Sequence, residues 1–140
     1  MIEGAGGLMV PLGEEFSVVD LISELGSYVL VVARNQLGVI NHTRLTLNGL
    51  AGYRCKGAKI VLMGSNRSDV SAMTNACVLR ELANPTLVLE VPFLGVGLKR
   101  VESMKRKCKK IKKTLAAILG FDTFRVLFKS SDFKTGRKNC

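Results

Sequence analysis

The sequence predicts an α/β fold of three layers, with a mainly parallel sheet between flanking helices. Three short apolar runs carry that prediction: residues 28–34 (YVLVVAR), 58–63 (AKIVLM) and 86–91 (TLVLEV). Each has the length of a strand and is rich in aliphatic and β-branched side chains. The segments between them space their apolar residues as helices do. Strands alternating with helices imply parallel pairing through right-handed crossovers.

In chain order, residues 17–25 fit a short helix, with Ser17 as N-cap and Gly26 as stop. The run 28–34 is almost wholly apolar, as expected of a strand buried on both faces. Residues 39–51 place Ile40, Leu45, Leu47 and Leu50 in a loosely helical pattern. Residues 69–83 place Val70, Met73, Cys77, Leu79 and Leu82 similarly, behind Ser68 or Asp69 as N-cap. A long amphipathic helix spans about 98–119, its apolar stripe formed by Val101, Met104, Cys108, Ile111, Leu115 and Ile118. After Gly120, a piece bearing Phe121, Phe124 and Phe128 can pack back, and the polar end, 130–140, is expected to fray. Residues 1–120 thus read as one α/β portion and 121–140 as a partly disordered extension. Connections 35–38, 64–67 and 92–97 each follow a strand and precede a helix, so they sit at the carboxyl edge of the sheet, where such folds hold ligands.

Composition narrows the classes. With 140 residues and 47% hydrophobic content, the chain can bury a core, which excludes disorder over most of its length. The start, Met1-Ile2-Glu3-Gly4, lacks a secretion signal, and the longest clean apolar run, 28–33, is too short for a bilayer. A cytoplasmic protein without membrane contact is expected. The four cysteines, Cys55, Cys77, Cys108 and Cys140, form no C-x-x-C pair and no cluster with histidine, which argues against a cysteine-held metal. Residues 99–113 hold nine Lys or Arg against Glu102 alone, so +8 of the net +10 lies on one helix. Nucleic-acid binding through that helix is one reading. No aromatic residue interleaves the lysines to stack bases, and a solvated outer face explains the pattern more simply.

Two motifs carry chemistry. The first is Glu3-Gly4-Ala5-Gly6-Gly7-Leu8-Met9-Val10-Pro11-Leu12. An acidic residue at a strand end can hold Mg²⁺, and glycines after it let backbone amides approach phosphates. The alternative is a tight glycine turn with an exposed glutamate. Such a motif is expected after a buried strand, yet only Met1 and Ile2 precede it. The second runs Leu37-Gly38-Val39-Ile40-Asn41-His42-Thr43, continuing Arg44-Leu45-Thr46-Leu47. A helix starting near Gly38 presents free amides to an anion, with Asn41 adding a donor. The alternative is an ordinary helix start without a ligand. His42, the sole histidine, reads as either an acid/base group or, more simply, a structural hydrogen bond.

Together, E-G-A-G-G-x-x-V-P-L and L-G-x-I-N-H-T-x-L-T-L closely resemble the dethiobiotin synthetases, at that family's spacing and over roughly residues 1–100. The resemblance implies a partial P-loop NTPase-like fold and an ATP-dependent ligase of biotin synthesis. That ligase joins CO₂ (or bicarbonate) to 7,8-diaminopelargonate; ATP phosphorylates the carbamate, and the second amine closes the ring to dethiobiotin. It further implies that Glu3 binds Mg²⁺ and that Glu3, Gly4, Ala5 and Gly6 line the nucleotide. Val91, Pro92 and Phe93 would border the adenine. Gly38, Val39, Ile40 and Asn41 would grip the substrate carboxylate across a homodimer interface. No G-x-x-x-x-G-K-[ST] occurs in the sequence. The family's P-loop, catalytic lysine and second magnesium carboxylate are therefore expected upstream, on the same gene or a partner chain, and this chain alone is expected to be nearly inactive. A non-catalytic remnant or dimerisation partner is the alternative. Met63 stands where the family usually has an adenine-binding Asn, and Asn66 can substitute.

Overall fold

The computed structural model describes residues 1–4, 6–67, 69–95 and 101–120, the side chains of 101–104 and 110 excepted. The first element is an antiparallel hairpin that the sequence pattern does not announce: β1 (Pro11–Gly13) pairs with β2 (Phe16–Ser17). Its turn places Glu15 at φ 53°, a left-handed conformation. The hairpin leads directly into α1 (Val18–Leu25). Ser17 is the N-cap residue, and the Asp20 carboxylate accepts from both its amide, at 2.8 Å, and its hydroxyl. Gly26, at φ 53°, ends the helix with its amide donating back into the last turn. Both ends are those the sequence predicted. Residues 8–10 are tied to the helix start, because the amides of Val18 and Val19 donate to the carbonyls of Val10 and Leu8 at 3.1 and 3.0 Å.

The apolar runs become β3 (Tyr28–Arg34), β4 (Gly57–Met63) and β5 (Leu87–Val91). They form a parallel sheet in the order β3-β4-β5, with Val31 opposite Ile60 and Ile60 opposite Val88. Between them run α2 (Val39–Leu50) and α3 (Asn75–Leu82). One face of the sheet, with Ile60, Leu62 and Val88 at its centre, packs against Val39, Ala76, Leu79 and Ala83. Ile60 and Leu79 are fully buried. The predicted α/β class with a parallel sheet is what the chain adopts, consistent with a P-loop NTPase-like fold.

Three expectations need correction. β3 is not buried on both faces: Tyr28, Leu30 and Val32 are 78, 43 and 59% exposed. The reason is position. β3 pairs with β4 along one side, and among the described residues no strand pairs with the other, whereas Val61 one strand further in is buried. Second, the helix predicted over 69–83 is two pieces, a 3-10 turn (Val70–Met73) and then α3. The tighter turn shifts the phase, so Val70 and Met73 point to solvent and Leu79 with Ala76 and Ala83 fills the core. Third, Leu45 of α2 is 60% exposed, so the buried stripe of that helix is Val39, Thr43 and Leu50.

Residues beyond 97 form a separate unit whose described element is α4 (Val101–Leu119). Ile111 is buried and Cys108, Leu115 and Ile118 are half-buried, while Lys105, Arg106, Lys109, Lys112 and Lys113 are exposed. Of the predicted stripe and basic face, the described residues Cys108, Ile111, Leu115 and Ile118 are turned inward and five basic side chains outward, while the side chains of Val101, Met104 and Lys110 lie outside the described residues. Ala5, the alternative cap Ser68, residues 96–100 and the phenylalanine-bearing segment 121–140 lie outside the described residues. Among the described residues no helix is long and apolar enough to cross a membrane.

Leu79→Ala is expected to lower unfolding free energy by about 2–5 kcal/mol. Leu82→Ala, on the half-exposed side of the same helix, should change it by only about 0.5 kcal/mol. Urea denaturation of the two variants checks the assignment of the core.

Candidate functional site

The turn from β3 to α2 is held from the side. The Asn35 amide extends the ladder by donating to the Met63 carbonyl at 2.9 Å, and its side chain is buried. Asn35 Nδ2 donates to the Ala72 carbonyl at 3.0 Å. Asn75, also buried, donates from Nδ2 to Asn35 Oδ1 at 2.9 Å and reaches the Gln36 carbonyl at 3.3 Å and Ser71 Oγ at 3.2 Å. The Asp69 carboxylate accepts from the Leu37 and Ser71 amides, each at 2.9 Å, and from the Ser71 hydroxyl. Residues 35–37 are therefore clamped by the segment 69–75. The sequence reading found Asp69 as a cap but missed Asn35 and Asn75. Their only local signal is that asparagines suit strand and helix ends.

Gly38 then adopts φ 92° and starts α2. A Cβ there would force a left-handed L-residue. The Val39 amide donates to the Gln36 carbonyl at 3.1 Å, while among the described residues the amides of Gly38, Ile40 and Asn41 have no acceptor. No acidic residue occupies the first turn. Such a helix start favours an anion. Of the four residues expected to grip a carboxylate, Asn41 is exposed and Ile40 half-buried, but Val39 is buried in the core and contributes backbone position only. The outward side of α2, with Gly38, Ile40, Asn41, Arg44, Leu45 and Asn48, is a shallow surface open to solvent. The structural hydrogen bond expected of the His42 side chain is absent among the described residues. The exposed imidazole instead lies against Gly38, its Cε1 3.6 Å from where a Cβ would stand.

At the ends of β4 and β5 the backbones nearly touch. The Gly64 amide donates to the Val91 carbonyl at 2.8 Å, and a Cβ on Gly64 would stand 2.8 Å from the Phe93 nitrogen. Only glycine fits, which brings Met63 and Gly64 beside residues 91–93. Val91 is buried with its carbonyl engaged, so it shapes this turn, while Pro92, Phe93 and Asn66 are exposed.

The glycine segment lies at the start of α1, where a Cβ on Gly4 would meet Val18 Cγ1 at 3.9 Å. Gly6, at φ 97°, leaves no room for a side chain, because its Cβ would stand 2.8 Å from Val10 Cγ2. Glu3 is exposed and makes no hydrogen bond or ion pair among the described residues. No hydrogen bond joins this segment to either of the other two turns among those residues. Nor do three His, Cys, Asp or Glu residues gather there to hold a metal. One free carboxylate is a donor set that suits Mg²⁺ when phosphate oxygens and water complete the shell, so Glu3 fits the ion only beside a bound polyphosphate.

A family described as an AAA domain matches residues 1–96, which include both motifs and both turns. The chain belongs to this family. Among its curated relatives, an ATP-dependent dethiobiotin synthetase of Endomicrobium trichonymphae is 42% identical over 94 residues, 66% of this chain and 43% of the relative. The synthetase of Thermodesulfovibrio yellowstonii is 40% identical over 105 residues, covering 69% of this chain and 41% of that one. That of Bacillus subtilis (strain 168) is 38% identical over 97 residues, 69% of this chain and 39% of the relative. The chain thus spans about two-fifths of the length of the curated relatives it matches. No solved structure matches it significantly. The resemblance to dethiobiotin synthetases drawn from the two motifs is borne out.

The hydrogen bond from the Ser71 hydroxyl, followed by that from the Leu37 amide, holds the Asp69 carboxyl below its ordinary pKa. The Ser17 hydroxyl and amide do the same for Asp20. A depressed folded-state pKa gives stability that is present above the unfolded value and is lost as pH falls through the folded one. Urea midpoints should therefore drop as pH is lowered through and below the ordinary carboxyl range. Asp69→Asn should flatten that acid limb. Asn75→Ala, which strips Asn35 Oδ1 of its donor, is expected to cost about 1–3 kcal/mol at neutral pH.

Proposed function

We propose that this chain contributes the carboxyl-terminal share of an MgATP-dependent dethiobiotin synthetase site, acting with a polypeptide segment that supplies the phosphate-binding loop and its lysine. The observation that carries the reading is the start of α2: three amides without acceptors, beside Asn41, in a turn clamped by buried asparagines. Here Gly38, Ile40 and Asn41 hold the carboxylate of 7,8-diaminopelargonate, and Val39 anchors the turn in the core. Fixing that end of a flexible chain presents its two amines to the reacting phosphate and CO₂ from a defined distance, which is where much of the rate advantage of such an enzyme arises.

On the other side, Pro92 and Phe93 border the adenine in a turn shaped by Val91 and Gly64, and Asn66 is the available amide for the base edge. Glu3 is the Mg²⁺ ligand, and Gly4 and Gly6 let the backbone run close to the phosphates. Mg²⁺, when bound, supplies neutralisation of charge across the phosphate oxygens. The side of β3 left unpaired among the described residues, where Tyr28, Leu30 and Val32 are exposed, supports a further strand from the loop-bearing segment. A homodimer in which one subunit's α2 start serves the other's nucleotide is part of the same reading.

The test is ATP- and bicarbonate-dependent formation of dethiobiotin by this chain alone and when joined to a segment carrying G-x-x-x-x-G-K-[ST]. Activity is expected only in the joined form. There, Asn41→Ala should raise KM for the diamine about tenfold or more with little change in kcat, the mark of lost ground-state binding. Glu3→Gln should lower kcat by about 10²-fold or more. A joined form that folds and binds ATP, yet forms no dethiobiotin, would sink the proposal.

A further inference from the structure

We infer that the basic face of α4 is a docking surface for double-stranded DNA, held through the phosphate backbone without reading of sequence. The inference is independent of the proposed synthetase site. The family match ends at residue 96, and α4 belongs to the separate unit that begins at Leu98.

Charge divides along the same line. Residues 98–140 hold fourteen Lys or Arg against three acidic residues, whereas residues 1–97 hold seven against eight. No Asp or Glu occurs between Glu102 and Asp122. The exposed cations of α4 are Lys105, Arg106, Lys109, Lys112 and Lys113. At about 100° per residue they fall on one arc of about 120°, on the opposite side of the helix from Ile111, and Lys105 to Lys113 spans about 12 Å. A face that is only solvated has no need of a single sign. Like charges three and four residues apart, as at Lys105, Lys109 and Lys113, weaken a helix, where glutamates among them would strengthen it. A polyanion laid on the arc removes that repulsion.

The rest of α4 selects among polyanions. The apolar stripe is already occupied: Ile111 is buried, and Cys108, Leu115 and Ile118 are half-buried, so the helix has no free apolar face to sink into a lipid surface. No aromatic residue stands in α4 to stack an unpaired base, which disfavours single strands. Width decides between duplexes. A helix with its side chains is about 10–12 Å across, which the major groove of B-form DNA admits, whereas that of duplex RNA is too narrow. Duplex DNA carries one charge per about 1.7 Å of axis, so a 12 Å span offers more phosphates than the arc has cations. Four of the five cations are lysines, point charges on flexible stems that suit phosphates better than base edges.

The experiment titrates the full 140-residue chain onto short, fluorescently labelled DNA duplexes of two unrelated sequences and follows anisotropy between about 50 and 200 mM salt. Both sequences should bind alike, with log affinity falling against log salt at a slope of about −4 to −5, a loss of about 10²–10³-fold over that range. Lys109→Gln with Lys113→Gln should reduce the slope by about 2 and weaken binding about tenfold or more at the low salt. Arg54→Gln with Lys56→Gln removes the same charge from exposed positions outside α4 and should change neither quantity. Lys109→Arg with Lys113→Arg should bind as the unaltered chain does. The urea midpoint of the α4 glutamine pair should not fall, because losing like charges relieves the helix. No DNA binding at the low salt overturns the inference. So do equal losses in the two glutamine pairs, which would assign the effect to net charge rather than to this face. Duplex RNA bound as tightly as DNA, poly-glutamate displacing DNA at equal charge, or phosphatidylserine vesicles held at salt that releases DNA would each give the face to another partner and overturn it too.

Discussion

The buried exchange between Asn35 and Asn75 is the constraint on which the ligand edge depends. It joins two crossover connections that are neighbours in space but separated by forty residues of chain. Inside the protein an amide pair of this kind is worth having only if nearly every donor and acceptor is used. Here Asn35 gives its second polar atom to the Ala72 carbonyl, and Asn75 reaches the Gln36 carbonyl and Ser71. Asp69 completes the connection from outside by taking the Leu37 amide. The direction in which α2 leaves the sheet, and hence where its first amides point, follows from these bonds more than from the helix's own sequence.

Glycine does complementary work at two places on that edge. At residue 64 the backbone of one connection runs so close to the next that a methyl group would collide with the Phe93 nitrogen. At residue 38 the backbone turns through a left-handed conformation so that a strand can become a helix without a longer loop. Asparagine thus supplies the ties and glycine the room, and the hydrophobic packing of Ile60, Leu62 and Leu79 beneath gives both a rigid base.

Much of this was legible in the sequence, and what was not has a common cause. The strands at 28–34, 58–63 and 86–91 could be read because their composition is a local property, and Ser17 and Gly26 mark their helix by short-range capping. The amides at the start of α2 were readable as chemistry for the same reason. The break at Thr74 was not, since the 3-10 turn before it is tied by Asp69 and Asn75 to residues far away in the chain. The exposure of Tyr28, Leu30 and Val32 depends on which strand lies next to β3, and an apolar run by itself does not specify its neighbours. Arg44 and Leu45 were read as part of a helix body. Only the actual rotation of α2 on the sheet, with Thr43 inward, sets them on its exposed side.

The side of β3 that no strand pairs with among the described residues has a consequence for how this sheet behaves in solution. An unpaired edge flanked by aliphatic and aromatic side chains recruits whichever strand arrives first, including that of another copy. Self-recruitment grows steeply with concentration, whereas a segment attached by a short tether presents itself at an effective concentration near millimolar, whatever the dilution. A covering strand joined covalently to β3 would therefore favour folding over aggregation at ordinary expression levels. A cover supplied as a free polypeptide would compete with homotypic stacking from the moment of synthesis.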